Sequence, residues 1–163
     1  MIKTYSKVKS NLRGLAALKK KMKSITQYSA QAGYYDNKHP TAGISYAYLA
    51  SIHEYGTRDG RIPQRDFITR AYLDWATSIK DDAEKAARDT IYRGVPVRTA
   101  LKKIADEGAV FITNAAYSFD SPANAASTIR NKGFDNPLIE TGKLANGVKT
   151  KVVKKKVGVG LGG

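Results

Sequence analysis

Between Asp66 and Gly94 the side chains Ile68, Tyr72, Trp75, Ile79, Ala83 and Ala86 recur every three or four residues, the period of a long amphipathic helix. The rest of the fold has to cover that face. Asp66 is a residue type that caps helix N-termini, and Gly94 followed by Pro96 marks a stop and a restart. Leu101, Ile104, Gly108, Phe111, Ile112 and Ala115 then set out a second long stripe, with Gly108 placed for close contact with a neighbour. Ile44, Tyr48, Ile52 and Tyr55 predict a shorter helix ended by a left-handed Gly56. Val8, Leu12, Leu15, Leu18, Met22 and Ile25 predict an opening helix whose opposite face is lysine.

Elsewhere the period is two. Tyr28, Ala30, Ala32 and Tyr34 alternate with Gln27, Ser29, Gln31 and Gly33, a strand whose small alanines suit close packing under a helix. Val148, Thr150 and Val152 alternate with Lys149 and Lys151, and Val157, Val159 and Leu161 with Gly158 and Gly160, which predicts a hairpin around Lys154, Lys155 and Lys156. The stretches 36–40 and 56–63 have loop composition, and 121–137 is irregular apart from a short helical turn up to Arg130. Without a repeating strand-helix-strand rhythm the expected class is α+β: three to four helices packed on a small antiparallel sheet, with a C-terminal β-hairpin. No repeat or biased linker divides the chain, so one domain over 1–163 is expected: a basic amphipathic helix (1–24), a body (25–145) and C-terminal strands (146–163).

The formal net charge of +14 is carried by the two ends. No acidic residue precedes Asp36, whereas eight lysines and arginines do, and six lysines follow Glu140, so residues 36–140 are balanced. Clustered like charge needs an acidic partner or water, and nucleic acid, an acidic protein face and plain solubility all satisfy it. A lysine-backed helix admits a membrane-surface or DNA-tracking reading beside that of a packed helix with a solvated back. There is no apolar run long enough for a bilayer and no signal-peptide pattern, so a soluble, unexported protein is expected. The absence of cysteine excludes disulfides, thiol catalysis and cysteine-based zinc sites.

Catalytic constellations do not assemble from the sequence. His53-Glu54 opens like a zincin helix, but Thr57 stands where the second histidine belongs, and His39 lies in a loop beside Pro40. Gly142-Lys143 lacks the surroundings of a phosphate loop, with Pro137 in place of a glycine and Leu144 in place of a hydroxyl residue. Asp81-Asp82 and Asp106-Glu107 offer carboxylates for magnesium, yet neighbours on a helix diverge by about 100°, which suits a solvated helix back better than a nuclease site. Tyr28, Tyr34 and Tyr35 could stack on single-stranded nucleic acid or serve as packing. No enzyme activity, cofactor or metal is expected.

Two segments become informative together. The first runs Ala47-Tyr48-Leu49-Ala50-Ser51-Ile52-His53-Glu54-Tyr55-Gly56-Thr57, then Ile62-Pro63-Gln64-Arg65-Asp66-Phe67; the second is Asn136-Pro137-Leu138-Ile139-Glu140-Thr141-Gly142-Lys143-Leu144. In order and spacing these resemble the neck and tail-completion proteins of long-tailed bacteriophages, also called virion morphogenesis proteins. There, a helix ends in a glutamate-aromatic-glycine-threonine turn. A loop leads to an isoleucine-proline-x-arginine element that opens a long helix, and a proline-leucine-isoleucine-acid-threonine-glycine turn precedes the last strands. Pro122-Ala123-Asn124 with Ser127-Thr128-Ile129 fits the segment before that turn, and the likeness covers roughly residues 28–152. Asp66 departs from the family's proline, and Glu140 from its commoner aspartate.

The resemblance implies a non-enzymatic virion protein, assembled in the host cytoplasm. It would form a homo-oligomeric ring, sixfold or twelvefold, between head-closure or portal-side proteins and the tail tube or terminator, around the DNA channel. A head-to-tail interface that closes by rotation is how a small subunit makes such a ring. The expected interface or DNA-channel residues are Arg58, Arg61 and Arg65 from the loop region and Lys149, Lys151, Lys154, Lys155 and Lys156 from the C-terminal strands. A basic nucleic-acid-binding accessory protein is the alternative.

Overall fold

The computed structural model describes residues 2–155, with side chains from residue 13 onward. In chain order the elements are α1 (Ile2–Thr26), β1 (Tyr28–Gly33), α2 (Tyr46–Tyr55), α3 (Phe67–Tyr92), α4 (Val97–Ser118), α5 (Ala126–Lys132), a 3-10 turn (Ala145–Gly147) and β2 (Lys149–Lys154). Among the described residues this is an α+β fold of five helices and one small antiparallel sheet. The second arm of the expected hairpin, 157–161, and Lys156 lie outside the described residues.

α3 and α4 form the antiparallel frame that the two long stripes predict, joined by the short turn through Gly94 and Pro96. Gly108 does what its position suggested: a Cβ there would come within 3.0–3.2 Å of the Trp75 ring, so its absence lets the indole lie flat against α4. β1 and β2 pair from Tyr28↔Lys154 to Gly33↔Lys149. Alternation puts Tyr28, Ala30 and Ala32 with Thr150 and Val152 on the face toward α4, where the Thr150 hydroxyl donates to Asp106 of that helix at 2.8 Å. Ser29, Gln31, Lys149, Lys151 and Val153 fall on the other face.

The core gathers where the start of α3 meets the end of α4. Phe67, fully buried, packs with Ala50, Ala71, Ile112, Ala116 and Phe119, and the 138–145 segment closes it with Leu138, Leu144 and Ala145. Tyr34 meets Phe67 edge-on at 6.1 Å and lies parallel to Tyr46 at 6.5 Å, so this tyrosine belongs to the packing. Burial pushes its phenol pKa up, and Tyr46 adds to the shift.

Two local expectations are corrected. Asp66 does stand at the N-cap position of α3, but its side chain makes no cap bond and instead pairs with Arg70 at 2.9 Å. The cap comes from α2: the Glu54 carboxylate accepts from the amides of Ile68 (2.8 Å) and Thr69 (3.0 Å) and from the Thr69 hydroxyl (2.5 Å). A carboxylate reaching over from the previous helix thus satisfies the first-turn donors and sits at the positive end of the α3 dipole. Among the side chains described, from residue 13 onward, the packed-helix reading of α1 holds at its C-terminal end, and the expected stripe positions Val8 and Leu12 lie outside them. At that end Ser24 and Ile25 are half-buried and Lys21 donates to the Ile91 carbonyl at 2.8 Å, while Leu15, Leu18 and Met22 remain exposed. Among the described residues no helix is long and apolar enough to cross a membrane.

Candidate functional site: a basic sheet face and a loop-lined cleft

The expected site residues separate into three groups. Lys149 and Lys151 are exposed on the sheet face away from α4, beside Gln31, and the Lys151 ammonium sits 3.5 Å from the centre of the Tyr35 ring. Lys154 and Lys155 are exposed at the end of the same strand, where the Lys155 amide extends the ladder to the Gln27 carbonyl at 2.7 Å. Arg58 and Arg61 are exposed on the α2–α3 loop, Arg61 within 3.2 Å of Asp59.

Arg65 belongs to neither surface. It is only 5% exposed and does not project from the surface as Arg58 and Arg61 do. Its amide donates to the His53 carbonyl at 2.7 Å, and its guanidinium turns inward to the Pro122 carbonyl (3.3 Å) and the Asn124 side-chain oxygen (3.4 Å). The reason is the loop itself. Gly56, at φ 73°, turns the chain sharply, and the Thr57 amide and hydroxyl bond the Ile62 carbonyl and amide at 2.9 Å each, so the loop is cinched at its base and Arg65 is led back under α2.

Across from this loop the segment 134–147 is tied to the end of α4. Asn136 donates to the Tyr117 carbonyl at 2.7 Å and accepts from the amides of Leu138 and Ile139, while Asn146 donates to the Tyr117 hydroxyl (2.7 Å) and the Gly142 carbonyl (2.9 Å). Between the two tied segments lies an open cleft of about 900 Å³, within the range of ligand-sized concavities. Both histidines line it. His39 is satisfied, its Nδ1 accepting from the amides of Thr41 (3.3 Å) and Ala42 (3.1 Å). His53 is not: its Nδ1 is buried without a partner, and burial, then Arg65, then Lys132 lower its pKa to about 4. At neutral pH His53 is therefore uncharged.

The acidic pairs divide as helix geometry requires. Asp106 engages Lys102 and Thr150, whereas Glu107 turns toward Asp82 across the α3–α4 interface. The facing Asp82 carboxylate, which only a protonated Glu107 could hydrogen-bond, raises the Glu107 pKa, and burial and the Asp82 charge add to the shift. Among the described residues no three histidine or acidic side chains gather as a metal site would require.

Sequence reasoning missed Glu54 as the cap and the convergence of His53, Arg65, Asn124 and Lys132 on one cleft. No periodicity links positions that far apart in the chain. The available signal was the pairing of His53-Glu54 with Arg65-Asp66 as polar residues flanking a loop rich in glycine and aspartate. No protein-family model matches the chain, and neither a curated protein nor a solved structure matches it.

Proposed function

We propose that this chain is a structural virion protein of a tailed bacteriophage that forms a ring in the neck, head–tail connector or tail-completion complex, joining capsid and tail around the DNA channel. The observation that carries the reading is on α1. Leu15, Leu18 and Met22 follow one another at helical spacing, are 47%, 38% and 54% exposed, and enter no core among the described residues. A regular apolar stripe left in water is what a second subunit covers. The order and spacing of the motifs around Glu54, Arg65 and Gly142 supply the phage assignment by resemblance, and the lysines at both ends suit a channel that passes DNA.

The test is a reconstruction of virions by electron cryo-microscopy, with mass measurement of the purified protein. A ring at the head–tail junction built from this fold is expected. Changing Leu18 and Met22 to lysine should leave the circular dichroism spectrum unchanged and yield heads and tails that fail to join. Infectious, joined particles lacking the chain would end the proposal.

The competing reading, a basic nucleic-acid-binding protein, draws on the outward Lys149 and Lys151 beside Gln31 and Tyr35. It predicts DNA affinity that falls steeply with salt, and a double change of these lysines to glutamine that lowers the log–log slope by about two. A slope unchanged by the substitutions would remove that face from any DNA contact.

A further inference from the structure

The cleft between the α2–α3 loop and the 123–144 segment contains a buried cation, Arg65, on which Asp135 acts from a distance but with which no described carboxylate pairs. Arg65 is 5% exposed, yet among the described residues no carboxylate lies within ion-pairing distance of it. Its two contacts, at 3.3 and 3.4 Å, are to neutral oxygens and leave most of the five guanidinium N–H groups uncommitted. A charge taken out of water in this way is normally matched by a counter-charge.

Two more polar atoms in the lining are buried without partners, His53 Nδ1 and Asn124 Nδ2. The Asn124 orientation is fixed, because its oxygen accepts from Arg65 and its backbone amide donates to Asp135 at 3.1 Å, so the side-chain NH2 is a free donor. The neutral His53 ring can place its proton on Nδ1 and donate as well. Lys132 lines the same cleft, its ammonium already anchored to the Asn136 carbonyl at 2.7 Å.

We propose that this cleft is a socket for a single carboxylate, the aspartate or glutamate side chain of a protein segment, received by Arg65, Asn124 and His53 with Lys132 at the side. A carboxylate supplies two oxygens and about four acceptor sites, enough for the uncommitted donors, and pairs with guanidinium in a bidentate fork. Leu49, Ile62 and Leu138 in the lining suit the methylenes and flanking residues of a peptide. A nucleic-acid backbone fits poorly. Glu140 stands in the lining, Asp135 acts on both Arg65 and Lys132, and Arg61 is paired with Asp59, so one carboxylate can pair with Arg65, whereas the successive phosphates of a backbone would meet fixed negative charge on either side of it.

The test uses the full chain, with the His53 ring resonances as reporter and four probes: N-acetyl-glutamate N-methylamide, its glutamine analogue, inorganic phosphate and a short DNA duplex. The glutamate probe should give a saturable His53 shift, with a dissociation constant of order 1 mM as befits one charged group. The glutamine analogue should give none. Lys132→Gln and Asn124→Ala, at partly exposed positions, should each weaken the binding by about tenfold, and Arg65→Lys should abolish it where circular dichroism shows the fold intact. Equal response to the glutamine analogue, no saturable response to glutamate, affinity unchanged in both Lys132→Gln and Asn124→Ala, or a His53 shift produced by phosphate or DNA in preference to glutamate would each overturn the proposal.

Discussion

Replacing Glu54 by alanine should lower the stability of the chain by about 3 kcal/mol, because one buried carboxylate caps the longest helix and no other described side chain shares the cap. Glu54 is 4% exposed and accepts three hydrogen bonds at the start of α3. Its removal leaves the Ile68 amide unpaired at a half-buried position and the Thr69 amide without its acceptor, and takes the negative charge from the positive end of a 26-residue helix. For a chain of this size the melting temperature should fall by roughly 10 °C. Asp66 does not share the cap, since its carboxylate is turned to Arg70. Glu54→Gln separates charge from shape: one amide oxygen can still accept, but its NH2 faces donors, so less than half of the loss should be recovered. Thermal and urea unfolding of the three proteins measures this, and a loss under about 1 kcal/mol in the alanine variant, the size of an ordinary exposed cap, would show that solvent caps α3 equally well.

Gly56→Ala should be comparably damaging for a different reason. At φ 73° and ψ 179° the residue occupies a backbone region that is essentially glycine's alone, a strain of about 1–3 kcal/mol for any side chain. There is also no room. A Cβ would lie 2.9 Å from both the Gln64 amide nitrogen and the Ile62 carbonyl oxygen and 3.2 Å from the Pro63 carbonyl carbon, all of them backbone. The loop would have to open at the base cinched by Thr57, carrying Arg65 and one wall of the cleft with it. A total loss of about 3 kcal/mol or more is expected. Gly60→Ala is the control: its φ is also 73°, but a Cβ there meets nothing within 4 Å, so only a conformational cost of about 1 kcal/mol applies. Equal unfolding midpoints for the two variants would remove the steric part of the argument.

These substitutions give physical content to the motif that prompted the resemblance. In Glu54-Tyr55-Gly56-Thr57 the glutamate caps the next helix, the glycine admits the returning chain and the threonine closes the loop. Tyr55, 75% exposed, does none of these and is free for a partner. Pro63 and Arg65 then lead into α3, with Arg65 bracing the 122–124 segment. Every part of the motif except the tyrosine is thus accounted for inside one chain.

Helix stripes, strand alternation and glycine punctuation placed α2, α3, α4, β1 and β2 within a few residues, because each depends on neighbours one turn or two residues away. Alternation alone also put Lys149 and Lys151 on a common face. Which acid caps α3, and whether Arg65 faces water, are decided by contacts between residues 14 and 57–59 positions apart, and no local period carries that information. Asp66 had the right residue type for the cap, but Glu54 reaches the amides first from a helix packed alongside, leaving Asp66 to Arg70. The same holds for the cleft, since His53, Asn124 and Lys132 meet only after α2 and the 122–140 segment close over the start of α3. Sequence set the elements and the sign of their surfaces through short-range sterics and hydrophobic period; tertiary packing chose which polar groups were buried together, because burial is a property of the whole chain's closure.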